Sequence, residues 1–294
     1  MQNMRQPRRD ANHGGNNAGR ARRRPAVCAR SFSSVVAGAL IATSAACMAS
    51  TQQEVQMGAE YAQQINQQLP LVTDPEVNRY LTLLGDSIAR VSDDRNLTWR
   101  FYIVDDPAIN AFAVPGGYIY VNRGLIAHSA NMSELAGVLG HEIAHVTRRH
   151  SLDQMAKAEG ANLGVAALCI FQPSVCQSGL GSAAIQVGGA FAFSKFSRDD
   201  ESEADKFGVQ YVTRAGIDPR GMPSMFRTLL NERQSSPSAV EGWFSSHPLE
   251  EDRVRATEAE IAKINPTVLK SLTRDSQAFQ NFKKRLASLP SRAR

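Results

Sequence analysis

Three residues in one short run have the types and the spacing needed to bind a metal ion and activate water. His141, Glu142 and His145 form the pattern HExxH. On a helix, residues four apart project from one face, so both imidazoles can reach one tetrahedral metal ion while Glu142 points to its open position. The pattern alone is also compatible with two ordinary histidines on a helix, so the interpretation depends on a third ligand.

A third ligand is predicted in an acidic run about sixty residues further along the chain. A catalytic zinc site needs three protein ligands and one water, and Glu201 is the carboxylate that we predict in this role. Asp205 lies one helical turn later, where it can accept a hydrogen bond from the far nitrogen of a ligating histidine. Glu203 is predicted to be a surface charge. Without the HExxH pattern, the whole run would be interpreted as a solvated helix face.

The chemistry that such a set supports is the hydrolysis of a peptide bond. Zinc lowers the pKa of its bound water toward about 7 and stabilises the oxyanion that forms when this water attacks the scissile carbonyl. Glu142 takes the proton of the water and then delivers it to the leaving amine.

Two helices are needed to position these residues. Asn131 and Glu134 stand in the register of a capping box, and apolar residues follow at helical spacing, so one helix is predicted from about Met132 to Met155. On this continuous helix His150 points away from the metal face and is predicted to be structural. A charged helix is predicted over residues 199–215, where glycine and proline end it.

The predicted fold class is α+β, mainly helical, with a small sheet packed beside the HExxH helix. Glycine, alanine and aliphatic residues dominate 159–194, which either packs on this helix or touches a membrane surface; we favour packing. The other predicted elements are strands at 98–104, 111–114 and 118–121, helices at 52–68, 74–91 and 221–234, a loop up to Trp243 and a helical tail after Pro248.

The distribution of charge argues against a nucleic-acid-binding protein. The chain of 294 residues has a formal net charge of +5, but eight of its basic residues and only one acidic residue lie in positions 1–46. The remainder has 25 basic against 27 acidic residues and so a net charge of −2. The excess of basic residues expected of a nucleic-acid-binding protein is therefore missing from the part of the chain that is predicted to fold.

The basic N-terminal segment has the pattern of an export signal. An arginine-rich start is followed by an apolar stretch from about Ser34 to Ala46, which is short for a membrane span. The run Ser44-Ala45-Ala46-Cys47 resembles a bacterial lipobox, with Ser44 where leucine is usual. Lipid attachment at Cys47 is the interpretation we favour, ahead of simple cleavage and of an uncleaved anchor.

Two cysteines are available to the predicted folded domain. Cys169 and Cys176 have six residues between them and could close a small loop in an oxidising compartment. Two buried thiols in an apolar stretch explain them equally well.

Four motifs, in their order and spacing, resemble the gluzincin family of HtpX, the Ste-type CAAX protease and the mitochondrial Oma-type peptidase. Within this family, the periplasmic branch that includes the beta-barrel assembly-enhancing protease is the most similar. The helical-repeat domain of that protease is not matched by this sequence. The resemblance is therefore better to the short lipoprotein members that lack the repeat domain. The resemblance covers roughly residues 50 to 260. The motifs are the run 110–117, the run 134–145, Arg198 with 201–205, and 246–248 with Arg253.

The resemblance implies a zincin-like metallopeptidase fold and a role for each matching residue. His141, His145 and Glu201 are expected to bind zinc, with one Zn²⁺ per chain. Glu142 is expected to act as general base and acid, and Asp205 to support the ligands from behind.

Two further residues have alternative interpretations. In the family, the histidine that corresponds to His247 lies near the metal, where it either stabilises the transition state or occupies the open coordination position as a latch; a His-Pro turn without a catalytic part is the alternative. Arg253 either orients this loop or binds a carboxylate, or it is a surface arginine.

The resemblance also implies an edge strand above the metal helix, to which an extended substrate can add as another strand. The residues of this strand are Asn110, Ala111, Phe112 and Ala113.

Together these observations predict a leader over 1–47, a zinc metallopeptidase domain over 48–265 and a basic helical tail over 266–294. The expected function is that of a zinc-dependent endopeptidase of the bacterial cell envelope, periplasmic and anchored by lipid on Cys47, at the outer rather than the inner membrane. Its expected partners are unfolded or misassembled envelope proteins, with no nucleic acid. The alternative is a scaffold or chaperone-like lipoprotein with the same fold, and the intact Glu142 argues against it. An aminopeptidase would need an acidic pocket for which no motif is apparent.

Overall fold

A small mixed sheet lies against a group of helices, and the HExxH helix is in the middle of that group. The computed structural model describes residues 49–160 and 195–291. The predicted leader with Cys47, most of the Gly/Ala-rich segment 159–194, and the pair Cys169 and Cys176 lie outside the described residues.

The sheet has three strands in the order β1-β3-β2. Strand β1 (Arg100–Val104) is parallel to β3 (Tyr118–Asn122), and β2 (Ala111–Val114) is antiparallel to β3. The turn between β2 and β3 contains Gly116 and Gly117, whose φ angles of 82° and 99° are in the left-handed region that favours glycine. Among the described residues β2 pairs only with β3, so it forms one edge of the sheet.

The two faces of the sheet pack against different helices because side chains alternate along each strand. One face contributes Phe101, Ile103, Ala111, Ala113, Ile119 and Val121 to the main core. The other face contributes Val104, Val114, Tyr118 and Tyr120, which pack on Ala62 and Ile65 of the first helix.

Eleven helices lie within the described residues. Before the gap they are α1 (Thr51–Gln68), α2 (Pro75–Ala89), α3 (Arg123–His128), α4 (Met132–Thr147) and α5 (His150–Gly160). After the gap they are α6 (Arg198–Arg214), α7 (Gly221–Ser235), α8 (Pro237–Ser246), α9 (Glu251–Ile261), α10 (Pro266–Ser271) and α11 (Gln277–Ser288). The predicted α+β class, mainly helical with a small sheet beside the HExxH helix, is confirmed.

The ends of the two site helices follow from their sequences. The side chain of Asn131 accepts the backbone N–H of Glu134 and so caps α4. A capping box between Ser197 and Asp200 begins α6. These caps satisfy backbone donors that a helix end otherwise leaves without partners.

The single helix predicted from Met132 to Met155 is wrong. Helix α4 ends at Thr147, and α5 begins at His150. Between them Arg149 has a φ of 63°, and its Nε lies 3.1 Å from Oε2 of the buried Glu54 in α1. A contact with a distant part of the chain therefore stabilises a backbone conformation that interrupts the helix.

The loop predicted up to Trp243 is also wrong, because residues 237–246 form α8. A proline stands at its first position, where no backbone N–H is required. Val240 and Trp243 are fully buried on one side of this helix. The C=O of Ala239 accepts the N–H of Ile109, with N and O 2.7 Å apart, so α8 is tied to the chain just before β2.

Helices α4 and α6 approach each other closely where both lack a side chain. A Cβ on Gly140 would lie 2.8 Å from Cγ1 of Val212 and 3.1 Å from the carbonyl oxygen of Gly208. A Cβ on Gly208 would lie 3.1 Å from the backbone nitrogen of His141. Any larger residue at these positions would force the two helices apart.

The C-terminal helix α11 packs against the N-terminal half of the described chain. Its residues Phe279 and Phe282 are buried, and the ring of Phe282 stacks on Tyr80 of α2 at 4.6 Å. Arg285 adds an ion pair with Asp74, with Nη2 and Oδ2 2.8 Å apart. The predicted boundary between domain and tail at residue 266 stays a prediction. Within the described ranges, no helix combines the length and the hydropathy needed to cross a membrane.

Candidate metal centre

Four buried side chains from three parts of the fold converge on one point. His141 and His145 belong to α4, Glu201 to the first turn of α6, and His247 directly follows α8. One potential ligand atom from each lies within 4.8 Å of all the others. The structure thus brings together the three residues predicted as metal ligands and adds His247 to them.

The distances between these atoms are within about 0.3 Å of those in a tetrahedral zinc site. Nε2 of His141 and Nε2 of His145 are 3.0 Å apart. The Glu201 carboxylate lies 3.3 Å from Nε2 of His145 and 3.7 Å from Nε2 of His141. Ligand atoms at about 2.0–2.2 Å from a tetrahedral zinc ion lie about 3.3–3.6 Å from one another. Two imidazoles and one carboxylate are also the ligand types of a catalytic zinc site, so the residues fit this ion.

The protonation of the ligands suits a cation. Burial lowers the pKa of His145 well below its usual range, against the opposing effect of Glu201, so the ring is in the neutral form that binds metal. Burial alone would raise the pKa of Glu201, but the charges of His247 and Arg253 hold it well below the usual range. The carboxylate is therefore ionised.

Glu142 lies beside this cluster and has no hydrogen-bond partner for either carboxylate oxygen among the described residues. Its side chain is completely buried, and Oε1 lies 3.5 Å from Nε2 of His247. Burial raises the pKa of Glu142, partly offset by the nearby charges of His247 and His141. A carboxyl group with a raised pKa and two free oxygens can accept a proton from water and release it again.

His247 links the cluster to Glu142. Its Nδ1 lies 2.9 Å from Oε1 of Glu201 and 3.3 Å from Nε2 of His141, at the position of a fourth ligand. Burial alone would lower the pKa of His247, but the carboxylates of Glu201 and Glu142 outweigh it and raise the pKa. The structure thus places His247 beside the predicted ligands, and its catalytic part stays a prediction.

A buried arginine and aspartate support the ligands from behind. Nδ1 of His141 lies 2.9 Å from Oδ1 of Asp205. Arg253 donates two hydrogen bonds to the Asp205 carboxylate, at 2.8 and 2.7 Å, and also contacts Glu201 and the carbonyl oxygen of Pro248. Burial alone would raise the pKa of Asp205, but Arg253 and His141 hold it below its usual range. Arg253 is therefore not a surface arginine; it joins a ligand, its supporting carboxylate and the His247 loop.

Two residues close to the site have contacts that the sequence analysis did not anticipate. Nδ1 of His150 lies 2.9 Å from Nδ1 of His145, and Nε2 of His150 lies 2.9 Å from Oε2 of Glu203. His150, predicted to be structural and off the metal face, thus contacts a predicted ligand from behind, and Glu203, predicted to be a surface charge, is 38% exposed and paired with His150. The break at Arg149 turns His150 back toward His145, and no local pattern in the sequence indicates that break.

Strand β2 places the predicted substrate strand beside α4. The C=O of Asn110 accepts the N–H of Asn122, and hydrogen-bonded pairs alternate along an antiparallel ladder, so Ala111 and Ala113 direct their backbone groups to the edge. Oδ1 of Asn110 is buried without a hydrogen-bond partner among the described residues. Ala111 is completely buried and Ala113 is 6% exposed, so the backbone groups directed to this edge are covered in this structure.

An aromatic ring that the sequence analysis missed covers the cluster. Phe196 is buried, and its ring stacks on His145 at a centroid distance of 3.9 Å. Its backbone N–H donates to the C=O of Ser246, the residue before His247, with N and O 3.0 Å apart. The ring thereby excludes water from one side of the site and is tied to the His247 loop.

Comparisons with known proteins agree with this geometry. The profile of Peptidase family M48 matches residues 75–261. The beta-barrel assembly-enhancing protease of Escherichia coli K12 is 31% identical over 234 residues, which cover 78% of this chain and 48% of that protein. The protein of the same name from Yersinia pestis is 33% identical over 221 residues, covering 73% and 45%.

A relative that matches a smaller part of the chain comes from a eukaryote. The mitochondrial metalloendopeptidase OMA1 of Arabidopsis thaliana is 32% identical over 160 residues, which cover 54% of this chain and 31% of that protein. The chain spans less than half the length of the bacterial relatives described above.

Proposed function

The chain belongs to peptidase family M48, whose members are zinc metallopeptidases, and we propose that it is a zinc-dependent endopeptidase of the bacterial cell envelope. Its proposed substrates are misfolded or unassembled envelope proteins, in keeping with the names of its bacterial relatives. The observation that carries the proposal is the convergence of His141, His145 and Glu201 beside a buried Glu142 without hydrogen-bond partners.

His141, His145 and Glu201 would hold one zinc ion per chain. When bound, zinc polarises water and the scissile carbonyl and stabilises negative charge on the carbonyl oxygen. Two of the three ligands have support from this chain: Asp205 lies behind His141, and Arg253 contacts both Asp205 and Glu201. These contacts orient the ligand atoms before any ion is bound.

Glu142 performs the proton transfers in this proposal. Its free oxygens accept a proton from the attacking water, and its raised pKa favours the protonated form long enough to deliver that proton to the leaving amine. The exclusion of water around this carboxyl strengthens its interactions with the reacting groups.

The edge of β2 is the proposed binding site for the substrate backbone. The N–H and C=O groups of Ala111 and Ala113 point away from β3. Once this buried edge is uncovered, they can pair with an extended segment of an unfolded protein, as an added strand does in β-augmentation. Backbone pairing of this kind is largely independent of side-chain identity, which suits a protease of broad specificity. Asn110 and Phe112 flank these groups and would contact the substrate side chains.

His247 is proposed as a latch that closes the fourth ligand position in this geometry. Its Nδ1 lies as close to Glu201 and His141 as a ligand would, and its loop must move before a substrate carbonyl can take that place. In His247→Ala, zinc should be retained and basal cleavage should rise. A fall in cleavage would instead assign His247 to stabilisation of the transition state.

We propose that the chain is attached to the periplasmic side of a membrane through lipid on Cys47. We propose further that this membrane is the outer membrane. The lipobox resemblance and the names of the bacterial relatives support this location. Palmitate should label the wild-type chain but not Cys47→Ser, and equal labelling of both would contradict the proposal.

The proposed function is tested by comparing the wild type with Glu142→Gln. Both proteins should bind one zinc ion, while cleavage of an unfolded protein should fall by about 10²–10⁴-fold in the variant because the general base and acid is lost. Metal analysis and gel-based cleavage assays measure the two properties. If the wild type binds zinc but does not cleave unfolded proteins, even after His247→Ala, the scaffold or chaperone-like alternative is correct.

A further inference from the structure

The two metal-facing histidines reach a carboxylate by different routes. His141 meets Asp205 directly, with Nδ1 and Oδ1 2.9 Å apart. Among the described residues, no carboxylate lies at Nδ1 of His145; instead, Nδ1 of His150 lies 2.9 Å away. The other nitrogen of His150 then lies 2.9 Å from Oε2 of Glu203.

Only one arrangement of hydrogens satisfies this chain of contacts when His145 binds a cation. Nε2 of His145 faces the other ligand atoms and must offer its lone pair, so its Nδ1 carries the hydrogen. Nδ1 of His150 must then accept that hydrogen, which leaves the hydrogen of His150 on Nε2, pointing at the Glu203 carboxylate. Each nitrogen has one role, and no two hydrogens face each other.

The surroundings of the chain hold this arrangement in place. His150 is buried, with 2% of its surface exposed, so water does not compete for its nitrogens. Glu203 is partly exposed, and its other oxygen, Oε1, lies 2.9 Å from Nη2 of Arg148. Phe196 stacks on the ring of His145 and limits its rotation.

We propose that His150 and Glu203 are positioning residues for the metal centre. They form an outer relay that fixes the ring orientation and the tautomer of His145 and, through the Glu203 charge, increases the electron density at its Nε2. The inference rests on the proposed zinc site but concerns residues to which the hydrolytic reaction itself assigns no part. The measurable consequence is zinc affinity, independent of turnover.

The first test is a series of variants in which zinc affinity is measured by competition with a chelator. His150→Phe keeps an aromatic ring but removes the acceptor, and zinc binding should weaken by about 10–100-fold. His150→Asn places an amide oxygen near the position of Nδ1, so it should recover part of this loss. Glu203→Gln keeps an acceptor for His150 but removes the charge, and a loss of about 3–10-fold is expected, smaller than for a complete break of the relay.

Arg148→Ala is the matched control, since Arg148 contacts the same carboxylate but has no contact with the histidines. Its zinc affinity should stay within about twofold of the wild type, well below the 10-fold expected for an outer-shell partner. Absorption of the Co²⁺-substituted proteins provides a signature at the metal: the ligand-field bands should shift in His150→Phe and not in Arg148→Ala.

A double variant distinguishes a relay from two independent effects. Once His150→Phe has broken the chain, adding Glu203→Gln should cause no further loss of zinc affinity. Additive losses, or a zinc affinity of His150→Phe and Glu203→Gln equal to that of the wild type, would overturn the proposal. If His150→Phe fails to fold in its metal-free form, His150→Asn and Glu203→Gln decide the question by the same criteria.

Failure of the relay and failure of the proposed function give different results. A wild type that binds zinc and loses cleavage on Glu142→Gln, combined with unaffected affinities in the His150 and Glu203 variants, overturns the relay alone. A wild type that binds no zinc overturns both.

Discussion

Two buried glutamates in this molecule have opposite surroundings. Glu54 of α1 is 1% exposed, and both of its oxygens have partners: Oε2 lies 2.7 Å from Arg95 and 3.1 Å from Arg149, and Oε1 accepts the N–H of Gly116. Glu142 of α4 is equally buried, yet neither of its oxygens has a hydrogen-bond partner among the described residues.

The difference separates a structural charge from a functional one. Arg95 also donates to the C=O of Val146, and Arg149 to that of Ala49, so the Glu54 cluster joins the start of α1 to the end of α4. Glu142 lies 3.5 Å from His247 but accepts no hydrogen bond from the described residues, and a buried polar group without hydrogen bonds is destabilising. We therefore propose that Glu142 is retained for the reaction, whereas the contacts of Glu54 stabilise the fold.

The largest expected effect comes from a substitution in the metal centre, Glu201→Gln, which removes the anionic ligand. Zinc binding should be lost, and cleavage of an unfolded protein should fall by at least about 10³-fold, since catalysis depends on the ion. Metal analysis and the cleavage assay measure both. Zinc content and activity near those of the wild type would show that Glu201 belongs with the structural charges.

In the structural cluster around Glu54, the substitution Glu54→Ala leaves Arg95 and Arg149 partly buried without their shared carboxylate. The free energy of unfolding of the metal-free protein should fall by about 3–5 kcal/mol, as measured by urea denaturation. The matched control is Glu250→Ala, which removes the exposed partner of Arg198 and should cost less than about 1 kcal/mol. Equal effects of the two substitutions would remove the structural role of Glu54.

The smallest expected effect, and the one with the opposite sign, concerns the stability of metal-free Glu142→Gln. The pKa of Glu142 is raised in the folded protein above the usual value of 4.5, so its contribution to stability is complete below pH 4.5 and is lost as the pH rises through the folded value. The variant should therefore unfold at a higher urea concentration than the wild type at pH 8 and at the same concentration at pH 4. A variant less stable than the wild type at pH 8 would mean that Glu142 has a stabilising partner.

The ligand set and the starts of its helices could be predicted because their signals are local. His141 and His145 are one turn apart on a helix that Asn131 caps, and Glu201 lies in the first turn of a helix that begins with a capping box. Spacing and capping depend only on neighbouring residues, and the structure places the starts of both helices within a few residues of the predicted positions.

The relay could not be predicted, because it depends on a break in a helix. On a continuous helix with 3.6 residues per turn, His150 would be rotated about 140° from His145. The left-handed conformation of Arg149 ends the helix and turns the side chain of His150 toward His145. Glu54, almost a hundred positions earlier, stabilises that conformation. A histidine five residues after an HExxH motif is the only hint in the sequence, and it has meaning only if the helix ends first.

Helix α8 was missed for a related reason. Its residues are mostly small or polar, and only Val240, Trp243 and Ser246 are buried, which gives a weak periodic signal. Its position is fixed by tertiary contacts, such as the hydrogen bond from Ile109 to Ala239. The placement of His247 depends on this helix, so the geometry of the fourth donor could not be derived from local sequence.

The paired glycines of α4 and α6 limit how this centre can be transferred to another protein. Gly140 and Gly208 set the separation of the two helix axes, and His141 and Glu201 meet only because that separation is small. An engineer who grafts the coordinating side chains onto a different helical scaffold must therefore graft the two bare backbone positions with them. Otherwise the new protein would contain every ligand but hold the carboxylate too far from the imidazoles to share an ion.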